Sequence, residues 1–138
     1  MITKIILGGQ TGVDQAALDV AIEMYIPHGG WMRKGRKTEA GRLPDKYHMQ
    51  EISSISYPER TELNVADSDG TLTVSHGRLS GGSAFIQEMA TKHRKPCFHI
   101  DLSDLDYPTA AEVFASWIEA RGMKTLNVAG PRLSQAMD

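Results

Sequence analysis

The chain has 138 residues, 15 of them basic and 17 acidic, for a formal net charge of −2. Hydrophobic residues make up 41% and charged residues 23%, which excludes a disordered chain and suits one domain that buries roughly two-thirds of its unfolded surface. Near-neutral charge argues against a protein that coats nucleic acid through bulk electrostatics, while leaving room for a local basic patch, and no apolar run approaches the ~20 residues of a membrane span.

The run Ile5-Ile6-Leu7 is too short for a signal-peptide core and is closed by Gly8-Gly9, which predicts a buried strand. Thr11 and Asp14 have capping-box spacing and open an apolar-rich segment, so a helix is expected over 13–24. A weak second strand is expected over 26–31. From Met32 to Ser56 the chain reads as irregular, basic at first and punctuated by Gly35, Gly41 and Pro44; loops of that length are functional or disordered. Ser56 and Glu59, with Pro58 in the first turn, predict a helix running to about Asp67. The β-branched run 71–74 predicts a strand, and a Gly-containing loop over 75–82 leads to a helix expected over 83–93, stopped by Pro96. A fourth strand is expected over 97–100. Thr109 and Glu112 predict the start of a helix that ends at Gly122, and 125–128 reads as the fifth strand.

Strands separated by helices imply right-handed βαβ units. The expected fold is a single Rossmann-like, doubly wound α/β domain with a mostly parallel five-stranded sheet and helices on both faces. Ligands of such folds sit beyond the carboxyl ends of the strands, where strand order reverses. The glycines and polar residues of this chain gather in the loops that follow the strands.

Gly8-Gly9-Gln10-Thr11-Gly12 joins the first strand to the first helix. Such a turn lets backbone approach an anion at a helix N-terminus; the bland alternative is a plain tight turn. It lacks the Gly-x-Gly-x-x-Gly spacing of dinucleotide-binding turns and the Gly-Lys-Ser/Thr of a P-loop. Asp14 would repel an anion placed too close and suits a hydroxyl, a water or a metal. Arg33, Lys34, Arg36 and Lys37 could pair with phosphate or form a solvated loop. Cys97, His99 and Asp101 alternate along one strand face, where a buried cysteine and a paired histidine explain them more simply than zinc does. Ser75, Ser80 and Ser83 show no nucleophile elbow. A lone Cys97 closes no internal disulfide, which points to a reducing, cytoplasmic compartment.

Several blocks in order resemble a known family. Gly8-Gly9-Gln10-Thr11-Gly12-Val13-Asp14, Gly30-Trp31 with Lys34-Gly35-Arg36, Arg60-Thr61 with Asn64-Val65 and Asp67-Ser68-Asp69, Gly81-Gly82-Ser83, and Asn127-Val128-Ala129-Gly130-Pro131-Arg132 are similar to the molybdenum-carrier family. That family is itself similar to the superfamily of molybdenum-cofactor carriers and Lonely Guy phosphoribohydrolases. The resemblance covers nearly the whole chain. It implies a Rossmann-like fold and a phosphate-bearing ligand, either molybdenum cofactor or a nucleotide. It further implies a homodimer, for which the helix face bearing Phe114 and Trp117 is a candidate contact unless it fills the core.

The expected ligand-binding residues are Gly8, Gly9, Gln10, Thr11, Gly12, Asp14, Lys34, Arg36, Asp69, Gly81, Gly82, Ser83 and Arg132. Arg60 and Glu88 resemble the catalytic Arg and Glu of the phosphoribohydrolases. Thr61 replaces that family's Lys, Ala84 and Phe85 replace its Gly-Thr, and six residues over 75–80 intervene. The favoured expectation is a carrier-like binder of a small phosphate-bearing ligand, with no nucleic acid or membrane partner and no resident metal. The alternatives are a nucleoside-monophosphate phosphoribohydrolase and a module that senses a nucleotide without turnover. The resemblance also implies a final helix beyond Asp138, so one flank of the cleft is expected to be missing.

Overall fold

The computed structural model describes residues 2–10, 12–53, 56–75, 81–101, 103 and 106–130. In chain order the elements are β1 (Lys4–Ile6), α1 (Val13–Glu23), β2 (His28–Gly29), β3 (Trp31–Met32), a 3-10 turn (Lys34–Arg36), β4 (Lys37–Thr38), β5 (Gly41–Arg42), β6 (Gln50–Glu51), α2 (Tyr57–Asp67), β7 (Gly70–Ser75), α3 (Gly81–Lys92), β8 (Cys97–Asp101), α4 (Tyr107–Arg121) and β9 (Thr125–Ala129). Five strands form one parallel sheet in the order β2-β1-β9-β7-β8. This is the α/β, Rossmann-like architecture that the alternation of elements predicts.

Helices cover both faces of the sheet. Leu18 of α1 and Ala110 and Trp117 of α4 pack with Leu72, Ile100, Leu126 and Val128. On the opposite face Val65 of α2 joins Met89 and Ala90 of α3 against Cys97. Trp117 is buried and its ring lies 5.2 Å from that of Phe98 and 6.1 Å from that of Phe114, so these aromatics fill the domain core. The second face is polar where the first is apolar: Thr71, Thr73, Ser75 and Asn127 are all buried there, and Asn127 Nδ2 donates to Thr71 Oγ1 at 3.2 Å.

Three local expectations need correction. The second strand splits at Gly30, whose φ of 123° turns the chain out of the sheet and whose missing side chain makes room for the Leu7 carbonyl. β2 stays beside β1, while β3 leaves to pair with β6. Next, α4 is capped by Asp106, whose carboxylate accepts from the Thr109 N–H at 2.7 Å; Thr109 lies inside the helix. Finally, α1 has Gly12 at its N-cap with no side-chain capping bond, and Asp14 turns back toward the preceding loop. The expected capping by Ser56 holds, with its hydroxyl accepting from the Glu59 N–H at 3.3 Å.

The stretch expected to be irregular is a folded flap. Arg36 is its centre: Nε donates to the Leu43 carbonyl at 3.1 Å, and one terminal nitrogen donates to the carbonyls of Pro44 at 2.8 Å and Tyr47 at 2.7 Å. Leu43 and Tyr47 then enter the main core, and the Tyr47 hydroxyl donates to Asp19 of α1 at 2.6 Å. Charge satisfied by carbonyls, plus two buried hydrophobes, fixes the flap over the first strand–helix turn.

Candidate functional site

The chain leaves β1 toward β2 on one side of β9 and leaves β7 toward β8 on the other. The connections therefore diverge over the carboxyl end of β9, and a crevice opens there. Its walls stand two strand spacings apart, roughly 10 Å.

The first wall is the turn after β1. A side chain on Gly8 would coincide with the guanidinium of Arg60 from α2, so glycine here lets a cation stand directly on the backbone. Asp14 is 5% exposed. It accepts from the Gln10 N–H at 3.2 Å and from the Gly8 backbone N–H. Burial pushes its carboxyl up to about 6, against the opposing pull of Arg60 and of the two N–H groups. Gln10 Oε1 accepts from the Glu39 N–H at 2.9 Å, which ties the turn to the flap. Gly9 has φ 78°, and a side chain on it would meet Leu43 Cδ2 at 3.2 Å and Met32 Cε at 3.4 Å. That side of the turn is sealed by the flap, so only the Gly8 side faces Arg60.

The structure separates the sequence-predicted residues. Gly8, Gly9, Gln10, Gly12 and Asp14 lie together, with Arg60 beside them. The backbone of Gly81, Gly82 and Ser83 opens α3 at the same edge of the sheet, whereas Thr11, Arg132 and the loop 76–80 fall outside the described residues. The remainder are placed elsewhere. Arg36 is committed to flap carbonyls, and Lys34 and Glu88 are exposed. Asp69 lies at the amino edge of the sheet, where its carboxylate accepts from the N–H groups of Lys124 and Thr125, each at 2.9 Å. Those bonds hold its carboxyl below the usual range, and it lines a depression of about 550 Å³ with Arg121 and Lys124 on the far side from the crevice.

The histidine expected to be paired is His99, held between two hydroxyls of the neighbouring strand. Ser75, the last residue of β7, and Thr73 both bond the ring of His99. The alternation Thr73-x-Ser75 beside His99-x-Asp101 carried the signal, because parallel pairing turns two alternations into one shared face. Asp101 itself accepts from Ser103 N–H at 2.9 Å and from Ser103 Oγ at 2.7 Å. Among the described residues no group of three His, Cys, Asp or Glu side chains is arranged to hold a metal, and no helix is long and apolar enough to cross a membrane.

Comparison with known proteins agrees with this architecture. A crystal structure at 1.45 Å resolution from Syntrophus aciditrophicus SB, of a protein named "putative molybdenum carrier protein", is 52% identical to this chain. The match covers 97% of this chain and 85% of that one, with a TM-score of 0.95. A reductase of (E)-4-hydroxy-3-methyl-but-2-enyl diphosphate matches at 10% identity over 99% of this chain and 56% of its own, with a TM-score of 0.38 that carries no structural argument. Among curated proteins none matches. Residues 5–138 match the model of the circularly permutated YpsA SLOG family. The topology carries the same mark: counted from β7, the strands β8-β7-β9-β1-β2 follow the 2-1-3-4-5 order of flavodoxin-like sheets. With most of its length matched to the family model and its strand order displaced in just this way, the chain belongs to the circularly permutated YpsA SLOG family.

Proposed function

We propose that this protein is a carrier-like binder of a phosphate-bearing or nucleotide-like ligand, molybdenum cofactor among the candidates, held at the carboxyl edge of the sheet between Gly8 and the start of α3. The observation that carries the reading is Arg60 standing on Gly8 beside Asp14. A guanidinium over bare backbone, flanked by the N-termini of α1 and α3, offers fork-shaped donors and dipoles to an oxyanion. The name of the 52%-identical crystal relative supports molybdenum as the cargo. Arg60, with Lys34 exposed and Arg36 held in the flap, is then the principal cation of the site. We place the protein in the cytoplasm, as a homodimer, and light scattering that returns a monomer mass at high micromolar concentration would remove the second half of that statement.

Titration calorimetry with molybdate and with a nucleoside monophosphate tests the reading. Arg60→Ala is expected to weaken whichever ligand binds by a factor of roughly 30 or more, as for a lost charge-assisted contact. Unchanged affinity in that variant would put the site elsewhere. The phosphoribohydrolase alternative needs Glu88 in the crevice, yet Glu88 is exposed two turns into α3. The wild type should release no free base from any monophosphate; release that disappears in Glu88→Gln would reinstate that activity.

A further inference from the structure

The main sheet ends on β8, and the parity of its hydrogen bonds decides what the outer edge offers. The Thr71 N–H donates to the Pro96 carbonyl at 3.0 Å, while Thr71 is level with Cys97 and Thr73 with His99. In a parallel ladder each residue turns both of its backbone groups to the same side. Pro96, Phe98 and Ile100 therefore bond β7, and the N–H and C=O of Cys97 and His99 point out of the sheet, where they meet no partner among the described residues. Side chains do not close this edge: Cys97, Phe98 and His99 are half-buried, whereas β7 is buried along most of its length. Edge strands are usually blunted by charge, proline or a bulge. Residues 97–100 carry no lysine, arginine or carboxylate, and their register with β7 is unbroken. The N–H that Pro96 lacks would have faced β7, so that proline leaves the outer side open. The opposite edge is built differently. β2 has two residues, and the flap lies against it through the His48 N–H bond to His28 at 3.0 Å and the Gln50 N–H bond to the Gly30 carbonyl at 2.9 Å.

We propose that β8 pairs antiparallel with β8 of a second copy of this chain, about a two-fold axis at Phe98, joining the two main sheets edge to edge. The proposal rests on the reading of the protein as a homodimer and names the surface that joins it. The outward groups are self-complementary under that operation. Cys97 of each copy stands opposite His99 of the other, and each such pair exchanges both of its N–H···O bonds. The same operation sets Lys95 opposite Asp101 on both sides of the axis, so opposite charges meet across the seam. Phe98 meets its own copy where opposed Cα atoms approach to roughly 4.5 Å. Its ring, packed on Trp117 at 5.2 Å, then gains cover on the side that a single chain leaves open. Moving the axis one residue to His99 would set Cys97 opposite Asp101 and lose the charge pairs. Parallel pairing of two copies is not closed by a two-fold. Charge and closure together select the antiparallel register about Phe98.

Sedimentation velocity and backbone amide exchange on wild-type protein, both at high micromolar concentration, test the pairing. A dimer mass is expected, with the amides of Cys97 and His99 protected as those of Phe98 and Ile100 are. On dilution to the monomer, the two outward amides should lose protection while the two ladder amides keep it. Lys95→Glu sets like charges opposite each other and should raise the dimer dissociation constant roughly tenfold. Adding Asp101→Lys restores opposite charges and should bring the constant back. A monomer mass would overturn the proposal together with the homodimer reading. A dimer whose Cys97 and His99 amides exchange freely would leave that reading standing and exclude this edge. Lys95→Glu protein that associates as tightly as wild type, or a charge swap that fails to restore association, would overturn the register about Phe98.

Discussion

The side chain of Asn64 holds Trp31 by both of its backbone groups. Asn64 Oδ1 accepts from the Trp31 N–H at 2.7 Å, and Asn64 Nδ2 donates to the Trp31 carbonyl at 2.9 Å. An amide side chain on α2 thus does for β3 what a neighbouring strand would do, just where Gly30 has taken the chain out of the sheet. The Trp31 indole N–H adds a bond to Asp67 at 2.7 Å. Helix α2, which carries Arg60, is in this way locked to the root of the flap.

Asn64→Ala should destabilise the protein by about 2–4 kcal/mol, since it leaves a backbone donor and an acceptor unpaired at a 2% exposed position. Asn64→Asp keeps the acceptor, loses the donor and sets a charge against the Trp31 carbonyl, so it should be no better. Urea denaturation measures both. A loss under 1 kcal/mol in the alanine variant would show that the clamp is redundant.

Asp14 gives the protein a distinctive acid response. Its folded pKa, about 6, is above its ordinary 3.8. Between those values the folded chain binds more protons than the unfolded one, so stability falls as pH rises through this window and is level above it. The whole fall is on the order of 3 kcal/mol by linkage. Asp14→Asn should abolish the decline, and Arg60→Ala, by removing a cation that lowers this pKa, should extend the window upward. A bound anion near Asp14 also favours its protonated form, so oxyanion affinity should rise as pH falls through 6. Urea midpoints and calorimetry at pH 4, 5, 6 and 7 read both effects.

The flap has an acid-sensitive latch of opposite sign. His28 Nε2 accepts from the His48 N–H at 3.0 Å, and the two rings stack at 5.2 Å. Partial burial, with the neighbouring His48 second, holds the His28 pKa below its ordinary 6.5. The folded state favours the neutral ring, so this contribution is complete above 6.5 and is lost as pH falls through the lowered folded value. Amide hydrogen exchange should show His48 losing protection in acid before the strands of the main sheet do. Equal protection at pH 5 and pH 7.5, after correction for intrinsic exchange, would exclude the latch.

Arg36→Lys tests whether the flap depends on a fork of donors or only on a charge. A lysine ammonium cannot reproduce the separate directions of Nε and the terminal nitrogen toward Leu43, Pro44 and Tyr47. The variant should lose about 2–4 kcal/mol, with the flap opening first under limited proteolysis. Wild-type resistance would show that Leu43 and Tyr47 suffice to hold it.

The sheet was legible because its strands are short apolar runs between glycines and caps, a signal that depends only on near neighbours. The parts of the site that depend on distant neighbours were harder to see. Arg36 sat in a run of four cations and looked like its companions, because its burial comes from carbonyls seven to eleven residues away. Asp69 resembles a ligand residue, yet its partners are Lys124 and the first residue of β9, more than fifty residues on. The start of α4 is ambiguous for a different reason: Asp106 and Thr109 are both good caps three residues apart, and Pro108 suits the first turn that Asp106 opens. The Gly8 turn is marked by its glycines, but Arg60, which resembles half of a catalytic pair, is its partner only through the packing of α2.

The central position of β9 has a consequence for how the chain is made. Its first residue is level with Lys4 and its second with Ile5, so the middle of the sheet joins the two most distant parts of the described chain. Until residues 125–129 leave the ribosome, β1 has only β2 and β7 has only β8, and two-stranded pieces of this kind are marginal in water. Each presents an open edge of unpaired backbone from its own emergence until β9 arrives. Folding must then wait for translation to pass β9, and contacts of such long range are slow to form. Nascent chains stalled before residue 125 are expected to seek chaperones or each other, since neither half of the sheet can close alone.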